Sequence, residues 1–70
     1  MIVINFGSDT TFEHKVDVLQ NLVGEHLTVV TDRACRVAGE LLGCAGESVY
    51  VGQPATACGI ERVIGIEVAL

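Results

Sequence analysis

Basic residues are scarce in this 70-residue chain: four, Lys15, Arg33, Arg36 and Arg62, against nine acidic ones, for a formal charge of −5. The four lie in three separate segments, whereas a phosphate backbone is gripped by clustered cations. Direct nucleic-acid binding is therefore not expected. Long apolar runs are also missing, and no stretch approaches the ~18 residues of a membrane span. Met1 to Phe6 is apolar, but no basic region precedes it and no signal-type apolar core follows, so no secretory signal is read. The cysteines lack pairing. Cys35, Cys44 and Cys58 are odd in number, contain no CxxC, and read as free thiols in a reducing cytoplasm.

Metal and nucleotide signatures are wanting too. His14, His26 and the three cysteines show none of the short paired spacings of structural zinc. Gly7-Ser-Asp-Thr-Thr11 stands where α/β folds place anions, and Ser8, Thr10 and Thr11 could serve a phosphate. It has one glycine, no GxGxxG or P-loop pattern and no nearby Lys, and an ordinary helix cap accounts for the same residues. There is no paired Ser–His arrangement and no convincing carboxylate dyad, so an enzyme working alone is not expected, and neither a cofactor nor a metal is assigned.

What the chain does have is apolar surface. Half its residues are hydrophobic, while area scaling gives about 4,200 Å² folded against about 10,700 Å² unfolded, so only about 60% is buried. Residues 1–70 form one compact domain whose core is marginal alone, and exposed apolar area is often a contact site. Self-association or a partner protein is the first functional expectation.

Met1-Ile-Val-Ile-Asn-Phe6 reads as a strand closed by Gly7. Thr10-Thr-Phe-Glu13 has capping-box spacing, and Phe12, Val16, Leu19 and Val23 recur with helical period as far as Gly24. Glu13, Lys15, Asp17 and Gln20 project away from that stripe. His26 to Thr31 reads as a second strand. Thr31 or Asp32 caps a second helix over 33–42, with Ala34, Val37, Ala38 and Leu41 as its apolar stripe and Gly43 as its stop. Ser48 to Val51 and Ile60 to Leu70 form a hairpin with a long connection around Pro54. In the last run Ile60, Ile64, Ile66, Val68 and Leu70 point one way and Glu61, Val63, Gly65, Glu67 and Ala69 the other. The expected fold is α/β (α+β): a small two-layer sandwich, β-α-β-α-β-β, with a four-stranded mixed sheet and two helices on one face. Met1, Val3, Val63 and Ala69 would lie on the other, uncovered face.

That element order and Gly24-Glu-His-Leu-Thr-Val-Val-Thr-Asp32 resemble the sulfur-carrier proteins of the TusA type. The resemblance implies the same sandwich architecture, and the thiol-carrier activity does not follow from it. The family opens its first helix on Cys-Pro-x-Pro, where this chain reads Asp9-Thr-Thr-Phe12, so no residue carries over as the persulfide site. Cys35 is the one thiol with a physical case of its own. It falls in the first turn of the expected second helix, between Arg33 and Arg36, where dipole and charge would lower its pKa. Cys44 and Cys58, in Gly-rich connections, could meet.

The leading expectation is a non-enzymatic, acidic protein-interaction domain, a homodimer or higher oligomer or a binder of a larger protein. One concrete form is a phage- or plasmid-borne inhibitor of a host nucleic-acid-binding or defence protein. Its partner-binding residues would be Glu61, Val63, Glu67 and Ala69 on the outer face of the last strand. The alternative is a TusA-like thiol, sulfur-carrier or redox protein using Cys35.

Overall fold

The computed structural model describes residues 1–52 and 55–69. In chain order it has β1 (Ile2–Asn5), α1 (Phe12–Asn21), β2 (His26–Thr31), β3 (Arg36–Ala45), β4 (Ser48–Gly52), β5 (Thr56–Gly59), a 3-10 turn at Ile60–Arg62, and β6 (Val63–Val68). The strands form one antiparallel sheet in the order β1-β6-β2-β3-β4-β5. This overturns the expected four-stranded mixed sheet with two helices, because the second helix is a strand.

The physical reason lies in residues 31–45. Asp32 to Cys35 make a tight turn, with Ala34 at φ +61 and the Ala34 N–H donating to Thr31 O. β3 then runs antiparallel to β2, Val37 opposite Val29 and Gly39 opposite Leu27. Val37 and Leu41 stand four residues apart, which is one helical turn but also two full strand alternations. Ala34 and Ala38, the rest of the supposed stripe, are exposed. No crossover helix exists here, so the sheet has no reason to be mixed.

A short connection dictates the sheet's shape. β5 and β6 lie four places apart in the order β6-β2-β3-β4-β5, a separation of roughly 19 Å if the sheet were flat. The three residues Ile60–Arg62 joining them span only about 6 Å as a 3-10 turn. The sheet must therefore curl until its far strand comes back towards β6. The turn is fastened at both ends, Ile60 N–H donating to Glu47 O and Asp32 N–H to Arg62 O. Gly39 permits close approach at the bend of β3: at φ +155, an added Cβ would stand 2.1 Å from the Gly52 carbonyl oxygen.

The curl encloses Leu27, Val29, Leu41, Val49, Val51, Ile60, Val63, Ile66 and Val68, and Leu19 of α1 closes the cluster. α1 starts where the Thr11 hydroxyl accepts from the His14 N–H at 3.1 Å, one residue later than the expected capping box. Lys15, expected on the outward flank, is buried. Its stem packs in and its Nζ donates to Glu61 O at 3.1 Å, 5.8 Å from the Phe6 ring centre. The connection from α1 is pinned to β3 by Gly24 N–H to Leu41 O and Leu41 N–H to Glu25 O.

In β6 the expected phase fails at the first two residues, Val63 and Ile64, and holds from Ile66 on. The β2–β6 ladder pairs Val30 with Gly65 and then Thr31 with Val63, skipping Ile64. This bulge turns Val63 inward, with no exposure, and leaves Ile64 45% exposed. Pro54 and Leu70, which figured in the expected hairpin, lie outside the described residues.

Candidate functional site

The convex outer side of the sheet has no helix over it. Across it the register sets Val3 beside Glu67, Thr28 and Ala38 in one row, and Asn5 beside Gly65, Val30 and Arg36 in the next. Arg36 and Glu67 form an ion pair across these rows. On one side of the pair is a shallow groove of about 250 Å³ lined by Met1, His26, Thr28, Ala38 and Ala69. On the other is a smaller one of about 120 Å³ lined by Val3, Asn5, Val30 and Ile64. Small side chains in the middle of the sheet (Ala38, Gly65 and Thr28) make these depressions.

The strongest feature is the apolar cluster at one border. Met1, Ile2 and Val3 are 80%, 48% and 54% exposed, and Ile64 of the adjoining strand is 45% exposed. With side-chain areas of about 150–200 Å², these four leave about 400 Å² of apolar area exposed, divided between the two faces of this border. A further groove of about 380 Å³ lies at the opposite border, lined by Leu42, Gly43, Ala45, Tyr50 and Ala55.

The four residues expected to bind a partner do not form one patch. Glu67 and Ala69 lie on the outer side. Val63 is a core residue, and its assignment to that surface is corrected. Glu61 is exposed, but on the 3-10 turn beside α1, where its carbonyl accepts from Lys15. Sequence reasoning missed Ile64 because the bulge that exposes it breaks the strict alternation from which the strand was read. It did place Met1 and Val3 on the uncovered side.

Cys35 is exposed on the turn between β2 and β3, and its carbonyl accepts from the Thr31 N–H. No helix begins there, so the dipole argument for an activated thiol is withdrawn. Arg36, one of its two flanking cations, is engaged by Glu67. Cys44 and Cys58 are half-buried, and burial pushes both thiols up; for Cys58 the nearby Cys35 adds to the rise. They cannot meet. Val49 lies between them in the register, opposite both, which sets their Cα atoms roughly 10 Å apart, beyond disulfide reach.

The remaining chemistry is sparse. Thr11 is used as the α1 cap, and an Asp9 carboxylate oxygen lies 2.8 Å from where a Gly7 Cβ would stand, an environment that opposes an anion. Among the described residues no group of three His, Cys, Asp or Glu could hold a metal ion. The cations are dispersed: Lys15 is buried, Arg36 is paired, and Arg62 stands 3.8 Å from Asp32. Among the described residues no helix is long and apolar enough to cross a membrane. Compared with protein-family models, curated proteins and solved structures, the chain matches none.

Proposed function

We propose that this chain is a non-enzymatic, cytoplasmic protein-interaction domain that covers its exposed apolar patch against protein, in the first place a second copy of itself. The observation that carries this reading is the cluster of Met1, Ile2, Val3 and Ile64 at one border of an uncovered sheet. Leaving about 400 Å² of apolar side chain in water along this border is unfavourable, and association that covers it removes part of that cost. Glu67, Arg36 and Asn5 around it supply the polar rim that protein contacts ordinarily have.

Sedimentation velocity over a hundredfold concentration range tests it, with Ile64→Asp as the variant because that side chain is exposed and not part of the core. The expected result is concentration-dependent association of the wild type, weakened at least tenfold by Ile64→Asp. A wild type that stays monomeric throughout would overturn self-association.

The exposure of Cys35 favours one second reading, a thiol carrier. Alkylation of the native protein by iodoacetamide tests it against free cysteine as the standard. Labelling of Cys35 no faster than that standard removes the thiol reading.

A further inference from the structure

The exposed apolar residues of β1 do not all point the same way. Ile2 stands opposite Val68 and so shares the core side of the sheet, whereas Val3 stands opposite Glu67 on the outer side. Both are about half exposed. A partner laid on one face of the sheet would cover one and leave the other in water. Only a strand added beside β1 flanks both.

The backbone of β1 is arranged to accept such a strand. β1 is the border strand, paired with β6 alone. The Phe6 N–H donates to Ile64 O, so by the strand period of two Ile2 and Ile4 turn their peptide groups to β6. Val3 and Asn5 turn theirs to the free edge. Natural edges are blunted by lysine, proline, inward charge or a bulge. Residues 1–8 contain none of these side chains, and the β1–β6 register runs without a shift.

We infer that β1 pairs antiparallel with β1 of a second copy about a two-fold axis through Ile4, joining the two sheets into one. This rests on the interaction reading above and names the partner and the contact. Val3 of each copy would exchange both backbone hydrogen bonds with Asn5 of the other, and Ile2 would face Phe6 of the other on the core side.

Charge and symmetry both favour a second copy. Each chain carries −5, so most approaches of two copies are repulsive, but the first acidic residue is Asp9. The β1 edge lets two copies meet without setting like-charged side chains opposite each other. A two-fold contact of this self-complementary kind is the commonest form of dimer.

The test combines sedimentation velocity with amide hydrogen exchange on the intact chain. Val3→Pro removes an outward-facing donor and is tolerated at an edge. Val3→Lys is a second variant in case proline disturbs β1, and Val23→Lys, a change at an equally exposed apolar residue away from the sheet border, is the control. The wild type is expected to dimerise with the Val3 and Asn5 amides protected only in the dimer. Both Val3 variants should weaken association at least 100-fold, and Val23→Lys should leave it within threefold. A dimer broken by Ile64→Asp but not by either Val3 variant, with those amides unprotected, would overturn edge pairing and leave the interaction reading standing. A monomeric wild type would overturn both.

Discussion

Replacing Gly39 by alanine tests the account of why the sheet curls. An alanine Cβ would stand 2.1 Å from the Gly52 carbonyl oxygen and 3.2 Å from a Val51 methyl, at a φ of +155 that side chains rarely adopt. Ordinary contact is more than 1 Å longer, so β3 and β4 would have to part where Glu40 pairs with Gly52. The unfavourable backbone contributes about 1–3 kcal/mol and the overpacking about another 1–3 kcal/mol. Gly43 provides the comparison within the same strand. Its φ is +152, but an added Cβ meets nothing within 4 Å, so Gly43→Ala carries the backbone cost alone. A domain of this length has a total stability of about 4–10 kcal/mol. Gly39→Ala should therefore be largely unfolded or have a urea midpoint lowered by about 3 M, at a slope of about 1 kcal/mol/M. Gly43→Ala should lose less by about 1–3 kcal/mol. Circular dichroism during urea titration reads both. Midpoints for the two variants that agree within about 0.5 kcal/mol would refute the claim that close approach at Gly52 shapes the bend.

Three further outcomes follow from the packing. Val63→Asp puts a carboxylate into a site with no solvent exposure and should cost more than about 3 kcal/mol; a folded Val63→Asp with wild-type thermal stability would contradict the inward placement. Lys15→Met keeps the packed stem and gives up the bond to Glu61 O, so its stability should stay within about 1 kcal/mol of wild type, while Lys15→Ala should lose about 1–2 kcal/mol more through lost packing. An alanine variant equal to the methionine one would show the stem to be idle. Burial holds the Cys44 and Cys58 thiols above their ordinary 9.0. Between that value and the folded values the unfolded chain binds fewer protons than the folded one, so this stability is fully present below pH 9 and declines above it. Urea midpoints at pH 8 and pH 10 should differ in the wild type and differ less in Cys44→Val; an equal loss in both would refute it.

β1 and α1 were legible because their signals have one physical meaning. β-branched residues closed by a glycine allow little but a strand, and a threonine cap before a four-three-four apolar spacing allows little but a helix. Residues 33–42 carried a signal with two meanings, since Val37 and Leu41 satisfy both periods. The difference was available in Gly39, which costs a helix interior about 1 kcal/mol, whereas the bent strand uses it at φ +155; Gly43 fits a helix stop and a strand at φ +152 alike. Misreading that segment carried the sheet with it, because a helix there demands a crossover and a crossover demands parallel neighbours. The site suffered from a smaller displacement. Core residues Ile60, Val63, Ile66 and Val68 are spaced three, three and two. That is the trace of a 3-10 turn running into a bulged strand, and a strict alternation read through it puts Val63 outside and Ile64 inside.

The same connection that makes the core also decides where the molecule is left open. Because three residues join β5 to β6, the sheet must curl, and a curled sheet of five strands could in principle close by pairing its two ends. β6 has no edge left for this: β2 holds one and β1 the other. The sheet therefore ends in two unlike borders. β5 is four residues of small and polar side chains, Thr56-Ala-Cys-Gly59, while β1 brings Ile2, Val3 and Ile4 to the other border, with no charged side chain among residues 1–8. On the pairing proposed above, the strand that prevents the sheet from closing on itself, apolar on both faces, is also the one that offers its edge to a second copy.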